Sequence, residues 1–239
     1  MTAIREQSRR RFIKEAMGVG TALALAVRRR DAAAKEKEDK DKDEDEVSPT
    51  EDLMREHGVL RRLLLVYGDV IRRLEANQEV KPDPIAHAAK LMRAFIEDYH
   101  ERDEEEYIFP RFVKANKLTD LVSVLAQQHQ AGRKLTADIE RLATAPSLTS
   151  ASNRHAMAES MRQFVRMYEP HAAREDTVLF PAFAKLVSDK ELHKLMDTFE
   201  QKEKALPLGD FEKMVADVSG IEKTLGLYDL AQFTPVTKP

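Results

Sequence analysis

His100-Glu101-Arg102-Asp103-Glu104, followed by Phe109-Pro110, recurs as His171-Ala172-Ala173-Arg174-Glu175, followed by Phe180-Pro181. In each copy a Glu stands four residues after a His, and Phe-Pro begins nine residues after it. The copies lie 71 residues apart. Each is preceded by a single His: His57 stands 43 residues before the first and His129 42 residues before the second. Positions i and i+4 share one face of a helix. Each His/Glu pair therefore presents an imidazole nitrogen and a carboxylate to one point. Two pairs and two single histidines, from four helices, make a nitrogen and oxygen ligand set suited to a pair of transition-metal ions.

The apolar pattern around these residues is helical. Ser48-Pro49-Thr50-Glu51 is a capping box with Pro at the first helical position. A helix from there to about Ala76 carries Leu53, His57, Leu60, Leu64, Tyr67, Ile71 and Leu74 at alternating four- and three-residue steps, the stripe of a bundle core. Asp83-Pro84 opens a second helix with Ala89, Met92, Ile96, His100 and Glu104 on one side, which Pro110 is expected to end or kink. Thr119 is expected to cap a third, carrying Val122, Leu125, His129, Gly132 and Ile139. A Ser-rich loop from Ala145 to Asn153 precedes a fourth, with Met157, Met161, Phe164, Tyr168, His171, Glu175 and Val178 in line and Pro170 inside it. Ser188-Asp189-Lys190-Glu191 is a second capping box opening a fifth helix, and a shorter one runs from about Asp210 to Leu225. The fold expected is all-α: an antiparallel up-down four-helix bundle over residues 48–187, with C-terminal helices over 188–239.

Composition agrees. The 239 residues are 42% hydrophobic and 34% charged, with only 8 Gly, which favours helix. A net charge of −3 gives no nucleic-acid footprint. The absence of Cys excludes disulfides, thiolate metal sites and iron–sulfur clusters. Any metal must be held by His and carboxylate. A buried carboxylate is costly unless paired or bound to metal, and the apolar neighbours of Glu104 and Glu175 turn both inward. His87, His155 and His193 match no repeat and read as surface or structural residues. Tyr67, Tyr99 and Tyr168 read as core packing.

With these motifs the chain resembles the hemerythrin-like (HHE cation-binding) proteins over roughly residues 51–186. His57, His100 with Glu104, His129, and His171 with Glu175 fill the family's ligand positions on four successive helices. The resemblance implies a centre of two non-heme iron ions, with Glu104 and Glu175 bridging and the four histidines as terminal ligands. One departure stands out. Oxygen-carrying relatives have a second His one turn after the ligand on the third helix, and here that position is Arg133. One coordination position is then open, or filled by water or by a carboxylate such as Glu101. The function implied is binding of O2 or another small diatomic such as nitric oxide, for sensing, carriage or protection. The alternative is a di-iron oxidoreductase that removes peroxide or nitric oxide, or an iron-storage or repair protein. Arg61 and Arg133 each follow a ligand His by four residues, as neighbours of the ligands or as surface charges.

The N-terminus reads as an address. Ser8-Arg9-Arg10-Arg11-Phe12-Ile13-Lys14 resembles the twin-arginine export motif, and mostly apolar or small residues follow from Ala16 to Val27. Residues 1–34 are expected to be a twin-arginine signal peptide read by the translocase, which places the protein in the periplasm. That route carries folded proteins, often already loaded with a cofactor. Residues 35–47 alternate Lys with Asp and Glu, a solvated linker without apolar residues enough to fold.

Overall fold

A computed structural model describes residues 47–236. The expected leader, and all but the last residue of the charged linker, lie outside the described residues. From Ser48 on the described chain forms one compact unit. It is helical: α1 (Pro49–Glu75), α2 (residues 82–114), α3 (Thr119–Leu142), the short α4 (Ala145–Thr149), α5 (residues 151–183), α6 (Asp189–Lys204) and α7 (Phe211–Leu225).

The first capping box is in place. Ser48 accepts a hydrogen bond from the Glu51 amide, and the Glu51 side chain reaches back to the Ser48 amide. The second does not form: Ser188 caps α6 without a side-chain bond, and Glu191 turns instead to Arg111 at 2.7 Å. A strong cation on α2 outcompetes one backbone amide for that carboxylate. Thr119 is the first residue of α3 rather than its cap, because Leu118 takes the capping position in a left-handed conformation, φ 48°. The Ser-rich loop is mostly helix: Thr144 caps α4 and Ser150 caps α5 through their hydroxyls. Asp210 caps α7, and Gly226, at φ 76°, ends it.

Helices α1, α2, α3 and α5 are the four-helix bundle, each packed on the next and α5 closing the ring against α1. The packing is antiparallel. Leu53 at the start of α1 meets Ile108 and Phe112 at the end of α2, with Val122 from the start of α3 and Phe183 from the end of α5. The opposite end gathers Leu74, Ile85, Ile139, Leu142 and Met157. These are two separate apolar clusters, with the His and Glu residues between them. The C-terminal helices add to both: Leu195 and Phe199 of α6 to the smaller cluster, Met214, Val218 and Ile221 of α7 to the larger. Each fully buried apolar side chain contributes about 1.5–3 kcal/mol. Polar ties fix the same docking: Arg62 holds Glu222 at 2.6 and 2.8 Å, and Arg73 donates to the Leu225 carbonyl at 2.6 Å.

Neither Phe-Pro pair breaks its helix. A five-residue π-helical turn, Glu104–Ile108, precedes Phe109-Pro110, and Glu175–Leu179 precedes Phe180-Pro181. In each, the Phe amide bonds five residues back, to the carbonyl of Glu104 or of Glu175. Each Pro then falls in the first turn of a restarted α-helix, where its missing N–H is not needed. A longer π-helical run, Met92–His100, leads into the first motif.

Gly132 marks a close approach between α3 and α5. A Cβ there would overlap the Tyr168 hydroxyl and lie 2.8 Å from Tyr168 Cζ. Gly132→Ala is expected to destabilise the protein by about 1–3 kcal/mol, the usual cost of forcing atoms into a packed interior. Thermal unfolding of Gly132→Ala and of Gly132→Ala/Tyr168→Phe measures it. The double variant recovers part of the loss, because the hydroxyl is gone and the ring remains.

Candidate metal centre

The sequence motifs lie on different helices and meet between the two apolar clusters. His57 comes from α1, His100 and Glu104 from α2, His129 from α3, and His171 and Glu175 from α5. All six are buried, with His57, Glu104, His129 and Glu175 at 0% exposure. The Nε2 atoms of His57 and His100 are 3.1 Å apart, and those of His129 and His171 3.3 Å apart. Glu175 Oε2 lies 3.4 Å from His57 Nε2 and 3.1 Å from His171 Nε2. Glu104 Oε2 lies 3.4 Å from His129 Nε2 and 3.9 Å from His100 Nε2. Each carboxylate thus stands between one His of each pair. His87, His155 and His193 are exposed, away from this cluster.

The outward nitrogens are equally organised. His57 Nδ1 is 2.6 Å from Asp176, and His129 Nδ1 is 3.1 Å from Glu105. These acids directly follow Glu175 and Glu104. His100 Nδ1 is 2.7 Å from Glu56, and His171 Nδ1 is 2.8 Å from Gln128, the residues just before His57 and His129. With Nδ1–H donating outward, each neutral ring turns its Nε2 lone pair to the centre. Arg61 pairs with Asp176, and Arg133 with Glu105 at 2.8 Å. Both arginines therefore neutralise the acids that orient ligand-position histidines. Phe180 stacks on His57 at 5.7 Å, and Phe109 on His129 at 5.4 Å. The sequence repeat thus extends beyond the His/Glu motif to these outward partners. Their signal was in plain view: Glu56-His57 against Gln128-His129, and Glu104-Glu105 against Glu175-Asp176.

One polar group has no counterpart in the other half. Glu101, 1% exposed, accepts a hydrogen bond from Tyr168 and pairs with Arg133 at 3.0 Å. Tyr168 is a core residue and a donor at once. Tyr99 donates to the Phe199 carbonyl at 3.4 Å.

Electrostatics show what the centre lacks. None of the four oxygens of Glu104 and Glu175 has a hydrogen-bond partner. Burial, then the neighbouring Glu175 and Glu101, push the Glu104 carboxyl well above the carboxylate range. Burial opposes ionisation of Glu175 too, but His171 and His57 outweigh it and hold that carboxyl low. Burial, then His57, drives His100 well below the usual imidazole range. Burial works the same way on His57, where Asp176 and Glu175 reverse it and raise the imidazole. Two inward carboxylates and four inward imidazole nitrogens fit one or two divalent transition ions. A cation would supply the partner those oxygens lack.

The helical bundle and its buried His/carboxylate cluster define a cation-binding class. The chain belongs to the hemerythrin HHE cation binding domain family, whose model matches residues 48–152 and again residues 120–233. An uncharacterized protein of Mycobacterium bovis is 46% identical over 190 residues, covering 79% of this chain and 74% of its own. Uncharacterized proteins from two strains of Mycobacterium tuberculosis match to the same extent. No solved structure matches the chain.

The metal-free protein carries a testable burden. The folded pKa of Glu104 lies above its unfolded value, so the folded chain holds that proton longer. Its stability contribution therefore falls as pH rises past the ordinary carboxylate range. Glu104→Gln removes that loss. The metal-free variant is expected to be more stable than wild type by about 1–3 kcal/mol near pH 8, with the difference closing near pH 4. Thermal melts of both, stripped of metal, measure it.

Proposed function

We propose that the chain binds two iron ions between its four bundle helices and uses them to take up a small diatomic ligand, O2 or nitric oxide. The observation that carries this reading is the pair of buried, unpartnered carboxylates, each between histidines of two pairs. By this reading Glu104 and Glu175 would be shared between the ions, His57 and His100 would hold one, and His129 and His171 would hold the other. An iron pair supplies exchangeable electrons and a vacant coordination position for a small ligand. The residues of the chain do the rest. Asp176, Glu56, Glu105 and Gln128 lock the imidazoles in one tautomer, and Phe109 and Phe180 cover two of them against solvent. Arg133 stands where oxygen-carrying relatives have a further ligand, and it is occupied with Glu101 and Glu105.

A second reading is an oxidoreductase that removes peroxide or nitric oxide. The Tyr168–Glu101–Arg133 network favours it, because it lays hydrogen-bonding groups beside His171 and His129. Reduced, iron-loaded protein exposed to O2 separates the two. Reversible optical change marks a binder, and irreversible oxidation with turnover of peroxide marks an enzyme.

Bridging has a stoichiometric consequence. Glu104→Ala or Glu175→Ala is expected to remove more than one iron per chain and the coupled two-iron spectrum. His57→Ala retains at least one iron. Elemental analysis with optical spectroscopy reads both. Two irons and the wild-type spectrum in Glu104→Ala would show that this residue does not bridge.

We further propose that the protein reaches the periplasm folded, through the twin-arginine translocase. The support is the Arg9-Arg10 pair ahead of an apolar run. Arg9→Lys with Arg10→Lys is expected to hold the protein in the cytoplasm, as cell fractionation would show, and unchanged export would rule the route out. Among the described residues no helix is long and apolar enough to cross a membrane.

A further inference from the structure

The two halves of the bundle agree at the ligand positions and differ one turn away. Where α1 has Leu60 and Leu64, α3 has Gly132 and Thr136 at the matching positions after its His. Where α5 has Ala172 after its His, α2 has Glu101. The α2–α3 side is therefore polar where the α1–α5 side is apolar. Three buried polar atoms there, from three helices, have no hydrogen bond of ordinary geometry: Tyr67 Oη of α1, Glu97 Oε1 of α2 and Thr136 Oγ1 of α3. All three residues are at 0% exposure. The Thr136 hydroxyl acts on the Glu97 carboxyl, and the Glu97 charge adds to burial in raising the Tyr67 phenol. A buried polar atom left unpaired costs about 1–3 kcal/mol, and protein interiors relieve that cost with water bridging two to four such groups.

We propose that Glu97, with buried water shared between Tyr67 and Thr136, is a proton station for the centre, in exchange with solvent at the α2–α3 surface. Its outward link is Arg93, 27% exposed, which pairs with the other Glu97 oxygen and with Glu140 at 3.5 Å. Arg93 also donates to the Arg133 carbonyl at 3.0 Å, closing the rim between the helices. Its inward link is Glu101, one helical turn on from Glu97 and bonded to Tyr168. The Tyr168 ring stands edge-on to His171 at 5.2 Å. Around Glu97 are Arg93, Asp98 and Glu101 of α2, Arg133, Thr136 and Glu140 of α3, Tyr67 of α1 and Tyr168 of α5. Burial, set against Thr136, Arg93 and Arg133, pushes the Glu97 carboxyl up to about 7. A group half-protonated near neutral pH is suited to give and take protons there. The carboxylic acid gives its proton to the bridging water and regains one from solvent, with no electron transferred. The destination of the proton rests on the metal reading above, but the station can be measured without metal.

The first test is infrared titration of the metal-free protein. Wild type minus Glu97→Gln is expected to show a protonated-carboxyl band that is present in acid and lost with a midpoint near pH 7. Thr136→Val is expected to raise that midpoint, because the hydroxyl lowers it in the wild type. No difference band, or one that does not titrate, overturns the station. The second test mixes reduced, iron-loaded protein with hydrogen peroxide across a pH series. Reduction of peroxide to two waters takes two electrons, from the iron pair, and two protons. Glu97→Gln is expected to slow it roughly tenfold or more and to abolish the inflection near neutral pH, while Glu97→Asp keeps that inflection. An unchanged pH profile in Glu97→Gln overturns the link to the centre. A chain that holds no iron sinks the metal reading and leaves the infrared result to stand or fall by itself.

Discussion

Glu104 and Glu175 face one another between two apolar clusters, fully buried and without a hydrogen bond to any of their four oxygens. No arrangement of a helical bundle is stable by virtue of such a pair. Two charges there repel, and one proton shared between them only moderates the cost. The surrounding side chains make sense as an answer to that problem. Four imidazoles turn their Nε2 atoms inward, and aromatic rings cover two of them. Folding and cation binding are then two sides of one equilibrium: whatever a cation gains at the centre is added to the stability of the bundle.

The centre also closes across the two helical hairpins. His57 of the first hairpin is oriented by Asp176 and covered by Phe180, both from the second. His129 of the second is oriented by Glu105 and covered by Phe109, both from the first. His100 and His171 take their outward partners from their own hairpins. Neither hairpin alone completes a half-centre. The inner geometry is therefore set by how the hairpins dock, which the apolar clusters above and below control. Helices α6 and α7 reinforce that docking from outside, through Phe199 against Tyr107 and through Met214 and Val218 in the larger cluster.

Much of this was legible in the residues. The doubled His/Glu motif located all six converging side chains, and the four-three apolar steps located four long helices, because both depend only on helical periodicity. What was not legible depends on competition or on neighbours distant in sequence. The Ser188 box failed because Glu191 meets Arg111, 80 residues away in the chain. Thr119 lost its capping role to the backbone of Leu118, a left-handed Leu that propensity does not favour. Pro110 does not end its helix, because the change of hydrogen-bond register comes before it. The outward partners Glu56, Gln128, Glu105 and Asp176 stand beside the motif positions in sequence, off the i, i+4 face that the motif marks. Only the alignment of the two halves gives them a role.

The π-helical turns carry a consequence for how this sequence can change. Each adds one residue to the path from a central carboxylate to the ring that covers a histidine of the other hairpin. Helical residues advance about 100° apiece. Deleting a single residue between Glu175 and Phe180 would leave a more regular helix with better backbone bonding. It would also swing Phe180, Phe183 and the entry to α6 about a quarter-turn round the bundle. Local regularity and a covered centre are thus mutually exclusive here. Along these two stretches the sequence can exchange side chains, but its length is constrained to the residue.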